Sequence, residues 1–171
     1  MTSTTVTELR DGTWIVPAGD PHATFAARNF GIRTVTGTLV LEYGTVTVAG
    51  GRPVAAEGTL AAASVTTGIT KRDEHLRSAR FLDAERHPHI GLRALRFEPA
   101  ADGWSVPAML TVGGAETPVT LHARRLADPK PGSVRIRVTG EFDRTTTRMR
   151  APRLMVGHRI TIEAELTFTR R

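Results

Sequence analysis

The final segment constrains this chain most. Ile160, Ile162, Ala164, Leu166 and Phe168 alternate with Arg159, Thr161, Glu163, Glu165, Thr167 and Thr169. A period of two puts the first set on one face of an extended strand and the second on the other. Such a segment reads as a half-buried strand of an antiparallel sheet, dry on one side and wet on the other. Its main-chain groups need partners, so the pattern calls for further strands elsewhere.

Similar patterns recur upstream. Val134, Ile136, Val138, Gly140 and Phe142 are in phase, as are Trp104, Val106, Ala108, Leu110 and Val112, and then Val119, Leu121 and Ala123. Val35, Gly37, Leu39, Leu41 and Tyr43 predict an earlier strand sharing one face, and residues 90–97 another. Gly50-Gly51, Gly113-Gly114 and the run from Asp128 to Gly132 punctuate them as turns. Pro107 predicts an edge, a bulge or a bend. The count comes to about eight or nine strands, and about eight suffice for a closed barrel to enclose side chains or one small guest. Ala55, Ala56, Ala61, Ala62 and Ala63 would fill less of such an interior than Leu or Phe. The period breaks between Thr70 and Leu76, where Thr70 is expected to cap a short helix with Asp73 in its first turn; a second turn is expected from Asp83 to before Pro88.

At 171 residues the chain suits one core. With no cysteine, a disulfide framework, a thiolate nucleophile and a cysteine zinc site are excluded. The net charge of +6 comes almost wholly from scattered Arg, many on the polar positions of alternating strands. That suits a solvated outer face better than a nucleic-acid surface, so no nucleic-acid partner is expected. His22, His122 and His158 are isolated and His87 and His89 flank Pro88 without a clustered carboxylate, so no metal site and no cofactor are expected. The stretch from Met1 to Trp14 has no apolar core and no run is long enough to span a membrane, which points to a cytoplasmic location.

The block from Thr66 to Ile90, TTGITKRDEHLRSARFLDAERHPHI, resembles the signature of the YceI-like family: a Thr-Gly, then Arg-Asp-x-His-Leu-x-Ser, then Phe-x-Asp and a Pro-led strand. Trp14, Gly37 and the pair Leu110-Thr111-Val112-Gly113 and Pro118-Val119-Thr120-Leu121 agree with it, so the resemblance covers nearly the whole chain. It implies an all-β, antiparallel, lipocalin-like barrel of about eight strands with one or two short helices. Residues 1–12 would form an N-terminal extension and 13–171 the domain. It also implies binding of a polyisoprenoid, an isoprenoid quinone or a fatty-acid-like lipid in an apolar cavity. The family's Arg-Ser-Asp-Phe-Gly-like turn is replaced here by Arg144-Thr145-Thr146-Thr147-Arg148-Met149.

Strand phase nominates Leu39, Leu41, Leu60, Leu92, Leu110, Leu121, Ile136, Val138, Ile162, Leu166 and Phe168 as cavity wall. A one-residue slip would turn any strand's set outward. Arg72, Asp73 and His75 are candidates for the polar end of a guest. With Ser78 they superficially resemble a triad, but one helix turn fans such residues apart, and no catalytic residue is assigned. Arg144, Arg148, Arg150 and Arg153, with Met149 and Leu154 interleaved, are expected to form a solvated basic loop or a charged lip at the mouth. A peripheral membrane contact and pairing into a homodimer stay open. Two rival functions share the fold: an enzyme acting on a hydrophobic substrate in the same cavity, and a filled barrel used as a protein-interaction module.

Overall fold

The computed structural model describes residues 9–17, 22–29, 33–147, 149–150 and 158–171, with the backbone alone at 22, 27–29 and 33. The strands are β1 (Gly12–Ile15), β2 (His22–Asn29), β3 (Arg33–Ala49), β4 (Arg52–Ala61), β5 (His89–Ala94), β6 (Glu98–Ala100), β7 (Gly103–Val112), β8 (Ala115–Arg125), β9 (Ser133–Asp143) and β10 (Arg159–Arg170). Among the described residues one α-helix, α1 (Thr70–Arg77), lies between β4 and β5, and short 3-10 turns occupy Ala62–Ser64 and Arg144–Thr146. Every ladder is antiparallel, and pairing of β10 with both β9 and β2 closes the sheet on itself.

The ten strands among the described residues fill eight places around the ring. β1 and β2 share the place between β3 and β10, and β5 and β6 succeed one another along β7. Pro107 marks the second handover. Its carbonyl accepts from the Leu95 amide at 2.8 Å, so its missing N–H falls on the side where β7 changes partner and no ladder bond is lost. The hairpins at Gly50-Gly51 (φ +62° and +76°) and Gly113-Gly114 (φ +57° and +77°) use left-handed backbone that only glycine adopts cheaply, the conformation of a two-residue turn between twisted strands.

Tyr43 departs from the expected phase. A register shift between Leu41 and Tyr43 inserts Glu42 as a bulge, so Gly44 replaces Tyr43 on the inner face and the tyrosine ring stands 49 % exposed outside. Thr70 does not cap α1 either: Ile69 holds the N-cap position and no side chain bonds to it. Residues 83–87 close the expected second turn, His87 N–H to Asp83 carbonyl at 2.8 Å. Leu9 donates to the Gly51 carbonyl at 3.4 Å and packs near Trp14, so contacts of the barrel reach back to residue 9.

Candidate functional site: the barrel interior

Inner-face residues line up across the strands in layers. One layer runs Leu39, Ala23, Ala164, Val138, Ala123, Trp104 across β3, β2, β10, β9, β8 and β7. The next runs Gly37, Phe25, Ile162, Gly140, Leu121, Val106 over the same strands. All eleven residues nominated from strand phase share this inner face.

Two apolar clusters fill the ends. Toward α1, Val65, Phe81, Leu82, Ala84, Ile90 and Val112 are buried together, in a cluster that continues along the wall through Leu39, Val106, Ala108, Leu110 and Leu121. Toward the other end, Trp14, Val48, Val134 and Phe168 form a second cluster. Leu41, Ile162 and Ala164 belong to neither. They are half-buried, as are Phe25, Val138 and Gly140 on the same face. The inner face between the two ends is lined by hydrocarbon and is incompletely covered at these six positions.

Small residues shape this lining. Gly37 is required where it stands: a Cβ there would lie 2.4 Å from Phe25 Cζ and 2.7 Å from the Thr66 carbonyl oxygen. The Phe25 ring therefore lies across its strand neighbour. Ala56, Gly58, Gly44 and Ala164 occupy other inner positions that Leu or Phe would fill.

The plug at the α1 end is latched by Asp73. Its carboxylate is buried and accepts from the Thr67 hydroxyl (2.6 Å), the Thr67 amide (2.8 Å) and the Thr66 hydroxyl (3.2 Å). The Thr67 hydroxyl bond chiefly, with the Thr67 amide, the Thr66 hydroxyl and nearby Arg77, outweighs desolvation and holds the Asp73 carboxyl below its usual range. Arg72 donates to the Thr67 hydroxyl (2.7 Å) and carbonyl (3.1 Å), and Arg77 to the Val65 carbonyl (3.4 Å). Thr66 in turn bridges to Thr38 of β3 through two main-chain bonds of 2.9 and 3.1 Å. The densest part of the sequence signature thus ties α1 down over the barrel end.

Of the three residues nominated for a polar end, Arg72 and Asp73 serve this latch, while His75 is exposed with its ring 5.6 Å from that of Phe81. The Ser78 hydroxyl donates to the His75 carbonyl at 2.5 Å and not to its ring. Asp73, His75 and Ser78 are therefore not linked as a triad.

The basic loop differs from expectation. Arg144 is no part of a solvated lip: it is 3 % exposed. Its amide donates to the His158 carbonyl at 2.8 Å, extending the β9–β10 ladder by one step and giving Arg144 the inward phase of Phe142 and Ile160. Met149 is buried and Arg150 exposed; Arg148, Arg153 and Leu154 lie outside the described residues. Sequence reasoning saw Arg144 as one of four loop cations; its place one period beyond Phe142 was the available signal.

His89 pairs with Glu42 (3.0 Å) and His122 with Asp102 (2.7 Å), both exposed and far apart in the sheet. Among the described residues no three His, Cys, Asp or Glu side chains gather as metal ligands, and no helix is long and apolar enough to cross a membrane. An open groove of about 260 Å³ lies outside the wall, beside Tyr43, Glu57, Gly91, Arg93, Met109 and Glu116. Those residues are out of phase with the lumen, whereas Gly58 and Leu92, which also line the groove, belong to the inner face. Arg135, Arg137, Glu163 and Glu165 form a polar ladder on the outer face of β9 and β10.

Comparison with known proteins agrees with this architecture. The YceI-like domain matches residues 14–168. A UPF0312 protein of Serratia proteamaculans is 38 % identical over 66 residues, 39 % of this chain and 34 % of that protein. Protein YceI of Escherichia coli is 32 % identical over 102 residues, 58 % of this chain and 53 % of that protein. The chain thus spans from about a third to about half the length of these curated relatives. Among solved structures, Burkholderia cenocepacia BcnA superposes with a TM-score of 0.76 at 14 % identity, over 86 % of this chain and 95 % of that one. A polyisoprenoid binding domain from Saccharophagus degradans superposes with a TM-score of 0.67 at 17 % identity, over 92 % and 98 %. The closed eight-place barrel, its latched α1 and the match along nearly its full length show that the chain belongs to the YceI-like family.

Proposed function

We propose that this protein binds and carries an elongated apolar molecule, a polyisoprenoid or a similar lipid, inside the barrel. The observation that carries the reading is the half-buried inner lining of Leu41, Ile162, Ala164, Val138 and Phe25. Hydrocarbon moved from water onto such a lining gains roughly 25 cal/mol per Å² buried, so a long chain binds firmly without specific polar contacts. The Saccharophagus degradans domain, similar in fold, is a polyisoprenoid binding domain, which supports the same class of guest here. Binding without turnover is part of the proposal, and so is a cytoplasmic location, which cell fractionation tests.

The inner-face set named above, from Leu39 to Phe168, is proposed as the wall. Arg72 and His75, at the α1 end, are proposed to border the guest's exit. Organic extraction of protein purified from its host, followed by mass spectrometry, tests the function. One prenyl or acyl compound near one equivalent is expected; its absence, together with failure to take up any added prenyl alcohol, would refute the proposal.

A further inference from the structure

We infer that the wall has a side opening between β4 and β6, through which the tail of a guest too long for the lumen leaves the barrel. This rests on the carrier reading above and adds to it the path of the tail and the class of chain, a long one.

The ladder of β4 with β5 ends at Glu57 and Arg93. From there β5 keeps to β7: Ala94 pairs with Ala108, and the Leu95 amide donates to the Pro107 carbonyl at 2.8 Å. β6 then pairs with β7 and not with β4. Among the described residues, β4 therefore has no ladder partner on this side from Ala56 back to Arg52, and the cylinder is unzipped along that stretch.

Side chains occupy this seam, and they are apolar. The register Glu98 to Ser105, continued by one step, sets Phe97 opposite Val106 on the inner face. Phe97 is half-buried, and its ring meets that of inner-face Trp104 edge-on at 6.5 Å. Across the seam the inner face of β4 carries the small residues Ala56 and Gly58, so the bulk at the opening comes from Phe97. The rims are Val54 on β4 and Leu95 beyond β5, 55 % and 47 % exposed. Val54 is the residue skipped by the register shift between Thr47 and Val48, and Pro53 beside it has no N–H to offer. A bulge and a proline keep a further strand off an edge. A hydrocarbon chain needs no hydrogen bonds and is not turned away by either.

The straight way out is closed, because Trp14, Val48, Val134 and Phe168 fill the end of the lumen far from α1 on the side of β1, β3, β9 and β10. β10 has 12 residues; at about 3.3 Å each and a tilt of about 40°, the lumen is about 30 Å long. Extended farnesol fits within it and extended solanesol does not. With its polar end at α1, solanesol turns aside at Phe97 and crosses between Val54 and Leu95.

The test compares farnesol with solanesol on the full chain, which has no cysteine of its own. Acrylodan on Val54→Cys or on Leu95→Cys shifts to the blue with solanesol and not with farnesol. The same label on Ile69→Cys, exposed at the α1 end, responds alike to both. Bridging Val54→Cys to Leu95→Cys with a bis-maleimide lowers solanesol affinity about tenfold or more and leaves farnesol affinity within about twofold. Both rim residues are exposed, so these variants keep the native core; where the bridge does not form, the label response decides. Equal rim responses to the two alcohols, or equal losses of affinity on bridging, overturn the inference. So does a solanesol-specific response at Ile69→Cys with none at the rims, which sends the tail out past α1. A rim label that shifts with protein concentration in the absence of lipid gives the seam to a second copy and also overturns it. Native protein that takes farnesol but not solanesol overturns it while the carrier reading stands. A protein that binds neither alcohol defeats the carrier reading itself.

Discussion

Ala164→Phe separates a hollow barrel from a solid one. Ala164 faces inward at the middle of β10, opposite Val138 and Ala23, and belongs to neither end cluster. In a close-packed interior a benzyl group there would force neighbours off their rotamers and cost about 1–3 kcal/mol. In a partly empty one the ring occupies free volume, so folding stability changes by less than about 1 kcal/mol and can rise through the apolar area buried. The guest bears the loss instead. Excluding about three carbons from the lining, at about 0.8 kcal/mol each, forfeits about 2.5 kcal/mol, about sixtyfold in affinity. Urea unfolding and titration with farnesol, run on the same preparations, read both quantities. A variant destabilised by about 2 kcal/mol or more whose farnesol affinity is unchanged would show that the interior is already full.

Other outcomes follow from the latch and the lining. Asp73→Ala leaves the Thr67 amide and two hydroxyls without their acceptor; a loss of about 2 kcal/mol, or roughly 4–8 °C in Tm for a chain of this size, is expected by thermal melting. Because the Asp73 carboxyl is held below its usual range, its contribution is complete above the unfolded-state pKa and is lost as pH falls through the lowered value. The stability gap between the native protein and Asp73→Asn should therefore close on acidification and persist at neutral pH; a gap that is constant down the acid limb counts against the latch. Gly37→Ala meets Phe25 and the carbonyl of Thr66, a residue fixed by two main-chain bonds to Thr38, so about 1–3 kcal/mol is lost and Phe25→Leu restores part of it in the double variant.

The alternation in β10 and β9 was legible because each strand has one wet and one dry face, and the registers reproduce it residue for residue. Tyr43 was misplaced because a bulge is a property of two strands together: nothing within the run Leu41-Glu42-Tyr43 reveals that its partner skips a residue. Residue type alone makes Thr70 a cap, whereas the hydroxyls that matter, on Thr66 and Thr67, turn to the carboxylate of Asp73 in the first turn of the helix. Arg144 looked like its loop neighbours in composition. Only the extra ladder bond to His158 shows that the inward phase of β9 continues through it.

Ladders from β3 to β9 join strands that are neighbours in the sequence or nearly so, whereas β2 and β10 meet across the whole chain; the Thr161 hydroxyl reaches the Ala26 carbonyl from 135 residues away. Bringing such distant segments together demands the largest loss of chain freedom in the molecule. The joint between the first and last walls is thus expected to be sealed after the rest of the cylinder has assembled. It adjoins Ile162 and Ala164, so the hydrocarbon lining is complete only when the final strand has docked.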